Sequence, residues 1–109
     1  MSDQAQKFVK RAARHYRWKL QSDPGFLDQV TAGLELNRTR YGYYLCPCRE
    51  GWANKRKDRD ITCPCDYAEE DILDYGHCYC GLFCSQEFVA SGQLVGPIPD
   101  RRPEHLYPE

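Results

Sequence analysis

The chain has 109 residues, a net charge of -1 at neutral pH, 28% charged and 41% hydrophobic residues, and seven cysteines. That length provides for one domain spanning 1–109, with a small core because the mean hydropathy is -0.76 and the apolar side chains come in short runs. No stretch approaches a membrane span, and the polar start Met1-Ser2-Asp3-Gln4 opens no signal-like apolar region, so a cytoplasmic protein with no membrane partner is expected.

Ala5, Phe8, Val9, Ala12, Ala13 and Tyr16 recur at helical spacing, which predicts an amphipathic helix over 4–20. Ser22 or Asp23 ahead of Pro24 starts a second helix over 24–41, because proline lacks the N–H that a first helical position leaves orphaned. Gly42 suits its left-handed cap. The aromatic stretch from Tyr43 to Cys48 reads as a loop, and Trp52 to Arg59 as a brief helix. Asp66 with Glu69 three positions on makes a capping box for a two-turn helix that Gly76 ends. A last short helix runs from its cap Ser85 to its stop Gly92, and the prolines beyond Gly96 predict an extended strap to Glu109. Strands are few or absent. The expected class is mainly α, about five short helices with the cysteines on the loops between them.

Charge is unevenly spread. Lys7, Lys10, Arg11, Arg14, Arg17 and Lys19 load the first helix, and Asp66, Glu69, Glu70, Asp71 and Asp74 cluster later. Two such patches suit two different partners, yet solvated helix faces are the simpler expectation. Aromatic side chains are not interleaved with the basic ones in any recognisable motif, so nucleic acid is not expected as a partner.

Six cysteines form three pairs, Cys46-Pro47-Cys48, Cys63-Pro64-Cys65 and Cys78-Tyr79-Cys80, and Cys84 is the odd one out. An odd count, with pairs too tight to bridge internally, argues against a secreted disulfide framework. Structural zinc sites draw on pairs at least one residue looser, and the prolines here hold the backbone extended. An iron–sulfur cube spreads its ligand positions more widely and takes four thiolates, leaving two sulfurs, the number one redox-active disulfide needs. Two alternatives stay open: a cluster protein that only transfers electrons, and a zinc-binding interaction module.

The residues around the pairs sharpen this. Arg40-Tyr41-Gly42-Tyr43 leading into Leu45-Cys46-Pro47-Cys48-Arg49, then Ile61-Thr62-Cys63-Pro64-Cys65-Asp66-Tyr67, and the ending Arg101-Arg102-Pro103 resemble the catalytic (β) subunit of ferredoxin:thioredoxin reductase over roughly residues 23–103. That resemblance implies one [4Fe–4S] cluster held by Cys46, Cys63, Cys65 and Cys78. It implies an active disulfide between Cys48, the exposed nucleophile, and Cys80, which resolves the mixed disulfide. The implied donor is ferredoxin, the acceptor is thioredoxin or a thioredoxin-like protein, and a small non-catalytic subunit is a further possible partner.

The chain departs from the plant-type pattern in three places. Tyr79 stands where that family has a histidine credited with proton transfer. His77, two positions upstream, is the candidate replacement, with an exposed loop histidine as the plainer expectation. The spacers between pairs, fourteen and then twelve residues, also differ, which implies reshaped loops and a non-plant-type variant. Cys84 is expected to be a buried structural cysteine; were residues 80–84 helical, its sulfur would share a face with that of Cys80. His15 and His105 stand apart from the cysteines and carry no expected role, and Trp18 and Trp52 read as core or interface anchors.

Overall fold

The computed structural model describes residues 3–108. Four α-helices and a two-stranded sheet make up its regular structure. α1 (Asp3–Tyr16) buries Ala5, Val9, Ala12 and Ala13. It stops short of the expected residue 20 because Arg17 turns left-handed at φ 64° and the Trp18 N–H reaches back to the Ala13 carbonyl at 2.9 Å. The freed segment Lys19–Leu20 (β1) then pairs antiparallel with Phe83–Cys84 (β2), Leu20 opposite Phe83. Trp18 lies against the Phe83 ring with centroids 5.2 Å apart. The first helix is thereby tied to the third cysteine pair.

α2 (Pro24–Tyr41) begins as the sequence directs. The Asp23 carboxylate accepts the Gly25 and Phe26 N–H groups, and Gly42 at φ 89° donates to the Arg38 carbonyl. Val30 and Leu34 face the core. Gly33 is the point of closest approach to the first pair, since a β-carbon there would lie 2.9 Å from that of Pro47. Only glycine lets the loop rest on the helix.

The helix expected over 52–59 does not form. Ala53 adopts φ 57°, the Asn54 side chain caps the Arg56 and Lys57 N–H groups at 3.0 Å, and a single 3-10 turn follows at Arg59–Ile61. Asp58 explains the outcome: fully buried, it accepts the Trp52 N–H at 2.9 Å and the Tyr43 hydroxyl at 2.5 Å, so the segment curls around its carboxylate. The first two pairs come side by side through reciprocal backbone bonds, Cys46 N–H to Ile61 carbonyl at 3.0 Å and Cys63 N–H to Tyr44 carbonyl at 2.7 Å.

α3 (Ala68–Tyr75) ends at Gly76 as expected, but its capping box is not made. Tyr67 occupies the cap position, with no side-chain capping bond, because Asp66 is committed through its backbone N–H to the Asp60 carbonyl at 2.8 Å. α4 (Gln86–Ser91) keeps its expected signals, Ser85 accepting the Phe88 N–H at 3.0 Å and Gly92 closing at φ 73°. Residues 80–84 form a turn and then β2 instead of a helix, which leaves Cys84 buried in the sheet and bonded through its thiol to the Gly81 carbonyl.

The acidic cluster is not simply a solvated face. Asp71 is fully buried and pairs with Arg101 at 2.6 Å, and Asp74 pairs with the same guanidinium. These contacts belong to the strap, described over 96–108, which crosses the surface with one 3-10 turn at Glu104–Leu106. Arg102 anchors it, donating to both Asp60 oxygens at 2.9 and 3.1 Å and to the Lys57 carbonyl. No helix among the described residues is long and apolar enough to cross a membrane.

Candidate functional site

The cysteine loops converge on the interior. Cys46, Cys63, Cys78 and Cys80 belong to the same buried cluster as Val9, Leu34, Leu82 and Phe83, and Cys65 packs at its edge. One cavity is lined by Cys46, Cys63, Cys65, Cys78 and Cys80 together with Pro64, Tyr79 and Phe83. Five of its lining residues are cysteines, and no carboxylate or imidazole lines it. They surround a space instead of meeting at a point: among the described residues no three metal-ligating side chains converge closely enough for a single ion. A lining of soft cysteine sulfurs between apolar walls is the donor set an iron–sulfur cluster takes.

The thiols are not equivalent. Burial pushes Cys63 well up and raises Cys65 to about 12. Cys78 is lowered to about 7 by a hydrogen bond from Cys80 against its burial, helped by backbone N–H groups that include that of Phe83 at 3.4 Å. Sulfurs of Cys78 and Cys80 are 3.9 Å apart. Cys80 also interacts with Cys46 and Cys48, and these hydrogen bonds with its burial hold its own proton firmly. Cys48 is exposed, and a hydrogen bond from Cys80 lowers it despite partial burial, with the positive charge of Arg49 acting in the same direction. An exposed thiol of lowered pKa leaning on a buried one of raised pKa is the asymmetry that directed thiol exchange requires.

Outside this pair lies a shallow groove formed by Cys48, Phe26, His77, Tyr79, Val95 and Pro97. Tyr79 is the partition, since its ring lines both the groove and the inner cavity. His77 is not the exposed loop histidine that was the plainer expectation. It is 3% exposed, its Nδ1–H donates to the Cys78 carbonyl at 2.7 Å, and its ring meets Phe88 edge-on. The tautomer that this bond sets leaves Nε2 as an acceptor. Burial follows from the bridge between His77 and Cys84, which draws the chain into the sheet edge.

Sequence reading overlooked one participant. Arg49, beside Cys48, is a buried cation whose guanidinium carbon lies 4.2 Å over the Tyr79 ring and 5.4 Å from that of Tyr67. Its anchors, Asp100 and Tyr107, come from the strap. The adjoining cysteine was the available signal; partners more than fifty positions away leave no local trace. His15 is exposed on α1 and His105 on the strap, and neither approaches the cysteines in any contact seen here.

Comparison with known proteins agrees with these observations. Residues 1–96 match the family model described as ferredoxin thioredoxin reductase catalytic beta chain. A relative named ferredoxin-thioredoxin reductase, catalytic chain, from Cyanidium caldarium is 31% identical over 94 residues, covering 82% of this chain and 80% of the relative. The match takes in α1, which the motif resemblance left out, and stops before the Arg101-Arg102-Pro103 ending that the resemblance included. With three Cys-x-Cys pairs gathered at one sulfur-lined cavity, the chain belongs to the ferredoxin thioredoxin reductase catalytic beta chain family and is an oxidoreductase.

Proposed function

We propose that the protein is a ferredoxin-dependent disulfide reductase that reduces thioredoxin or a thioredoxin-like protein, working through Cys48 and Cys80 beside a [4Fe–4S] cluster. The observation that carries this is that exposed Cys48 and buried Cys80 line one surface groove, with Cys80 also lining the cysteine-walled inner cavity. Cys46, Cys63, Cys65 and Cys78 would hold the cluster, which fits a cage of thiolate donors with apolar walls. When bound, it supplies one-electron storage, so that a two-electron disulfide opening can be fed by a one-electron donor. The exchange runs downhill, from about -400 mV for a plant-type ferredoxin to about -270 mV for thioredoxin, or roughly 6 kcal/mol for two electrons.

Cys48 is the nucleophile because it alone of the pair meets solvent. Its thiolate attacks one sulfur of the target disulfide, the other target sulfur leaves as a thiolate, and a mixed disulfide joins the two proteins. Cys80 then attacks the Cys48 sulfur, expelling the second target thiolate and closing the Cys48–Cys80 bond. Two electrons from ferredoxin reopen it. On this reading His77, which lines the groove and is held through Nδ1 on the Cys78 carbonyl, moves the proton through Nε2. A small non-catalytic subunit is a further partner on this reading, and the whole of 1–109 acts as one domain.

The test is anaerobic purification with iron and sulfide quantitation, followed by Cys48→Ser in an assay with reduced ferredoxin and a thioredoxin. Complete loss of target reduction with iron and sulfide retained is expected. Full reduction by the variant would make the protein an electron carrier without disulfide chemistry, and zinc without iron or sulfide would make it an interaction module.

A further inference from the structure

The Arg49 side chain is fully shielded from solvent, yet only part of it is paired. Nη1 meets Asp100 and donates to the Tyr107 hydroxyl at 2.9 Å; among the described residues Nε and Nη2 have no hydrogen-bond partner. Leaving charged donors unpaired in a dry interior is costly, so a chain that does so gains from the charge itself. The charge sits beside sulfur: Arg49 directly follows Cys48 in the chain, and its guanidinium lies over the ring of Tyr79, which lines both the groove of Cys48 and Cys80 and the inner cavity. Its counter-ion is less effective there, because the Asp100 side chain is 30% exposed and screened by water.

We infer that Arg49 is a positioning residue of the sulfur site, a fixed cation that stabilises the negative charge arriving as the Cys48–Cys80 couple is reduced, held in place by the strap through Asp100 and Tyr107. The inference rests on the function proposed above. In the reductive step two electrons enter from ferredoxin, the S–S bond breaks and two thiolates form before any proton arrives. A cation already buried beside them needs no reorganisation to stabilise that charge. Stacking on Tyr79 fixes the guanidinium over the partition between groove and cavity. The clamp, residues 100 and 107, lies beyond the segment matched by the family model. Control of the site's redox poise is therefore partly vested in the strap.

The experiment compares anaerobically purified holoprotein as wild type, Arg49→Met, Arg49→Lys and Asp100→Asn. Each is equilibrated in dithiothreitol buffers, and the Cys48–Cys80 couple is read by alkylation and mass spectrometry. Arg49→Met should shift the couple at least tenfold toward the oxidised form, about 30 mV for two electrons. Arg49→Lys, which keeps the charge, should stay within threefold of wild type. Asp100→Asn, which removes the opposing charge, should move at least threefold the other way, toward the reduced form. A merely structural role would move Arg49→Met and Asp100→Asn in the same direction or neither, and either result overturns the inference. If Arg49→Met loses its iron, Asp100→Asn decides by the sign of its shift. A wild-type protein that never forms the Cys48–Cys80 bond would refute the underlying function instead.

Discussion

The helical layer and the cysteine loops are stabilised in different ways. α1 and α2 meet through interchangeable apolar side chains such as Val9, Val30 and Leu34, each adding transfer free energy wherever it is buried. The loops that carry the sulfurs hang on single polar atoms: the Asp58 carboxylate under Tyr43 and Trp52, the Asp60 carboxylate under Arg102 and Tyr67, and Asp100 under Arg49 and Tyr107. Apolar contacts are tolerant of small displacements, whereas a buried charge with one geometry is not. The sulfur positions therefore owe their definition to polar clamps more than to the core.

Removing the deepest clamp should give the largest effect. Asp58→Ala leaves the Tyr43 hydroxyl and Trp52 N–H unsatisfied and should cost about 4 kcal/mol in urea unfolding. It should also speed alkylation of Cys46 and Cys63, whose loops that carboxylate organises. Leu34→Ala, fully buried on α2, should cost about 3 kcal/mol and leave cysteine alkylation rates in the folded protein unchanged. Equal alkylation in the two variants would erase the distinction drawn above. Arg102→Met removes the strap's anchor but leaves Asp60 partly solvated and still bonded to Tyr67, so the expected cost of about 2 kcal/mol is too small to unfold the domain and should instead expose the strap to proteolysis.

Acid should loosen the same half. Burial alone would raise the Asp60 carboxyl, but hydrogen bonds from Arg102 and Tyr67 outweigh it; the Asp100 carboxyl is likewise lowered against burial by Tyr107, the Arg102 backbone and Arg49. Groups depressed in the native state contribute stability that is complete above the ordinary carboxylate range and is lost as pH falls through their native values. Strap protection by hydrogen exchange should be flat above about pH 5 and fall below about pH 4, ahead of α1 and α2. The smallest effect belongs to a local signal: Ser85→Ala should cost about 1 kcal/mol through the lost cap of α4.

Where a structural cause is local, the sequence carried it. Asp23 before Pro24, Gly42, Gly76, Ser85 and Gly92 each act within one turn of backbone, and all stand where their chemistry placed them. The failures share a cause. Trp52–Arg59 has helix-forming composition, but a buried carboxylate contacting Tyr43 outcompetes helical hydrogen bonding; α1 ends early because β1 finds a partner more than sixty residues away.

The three Cys-x-Cys pairs declared a sulfur-based site from the chain alone, because sulfur donors are scarce and their spacing is a covalent property. Which sulfur meets solvent, which is buried against its neighbours, that His77 is enclosed and that Arg49 is clamped from the far end were settled only by folding. Exposure and electrostatic environment are sums over groups distant in sequence, so no local pattern of residues encodes them.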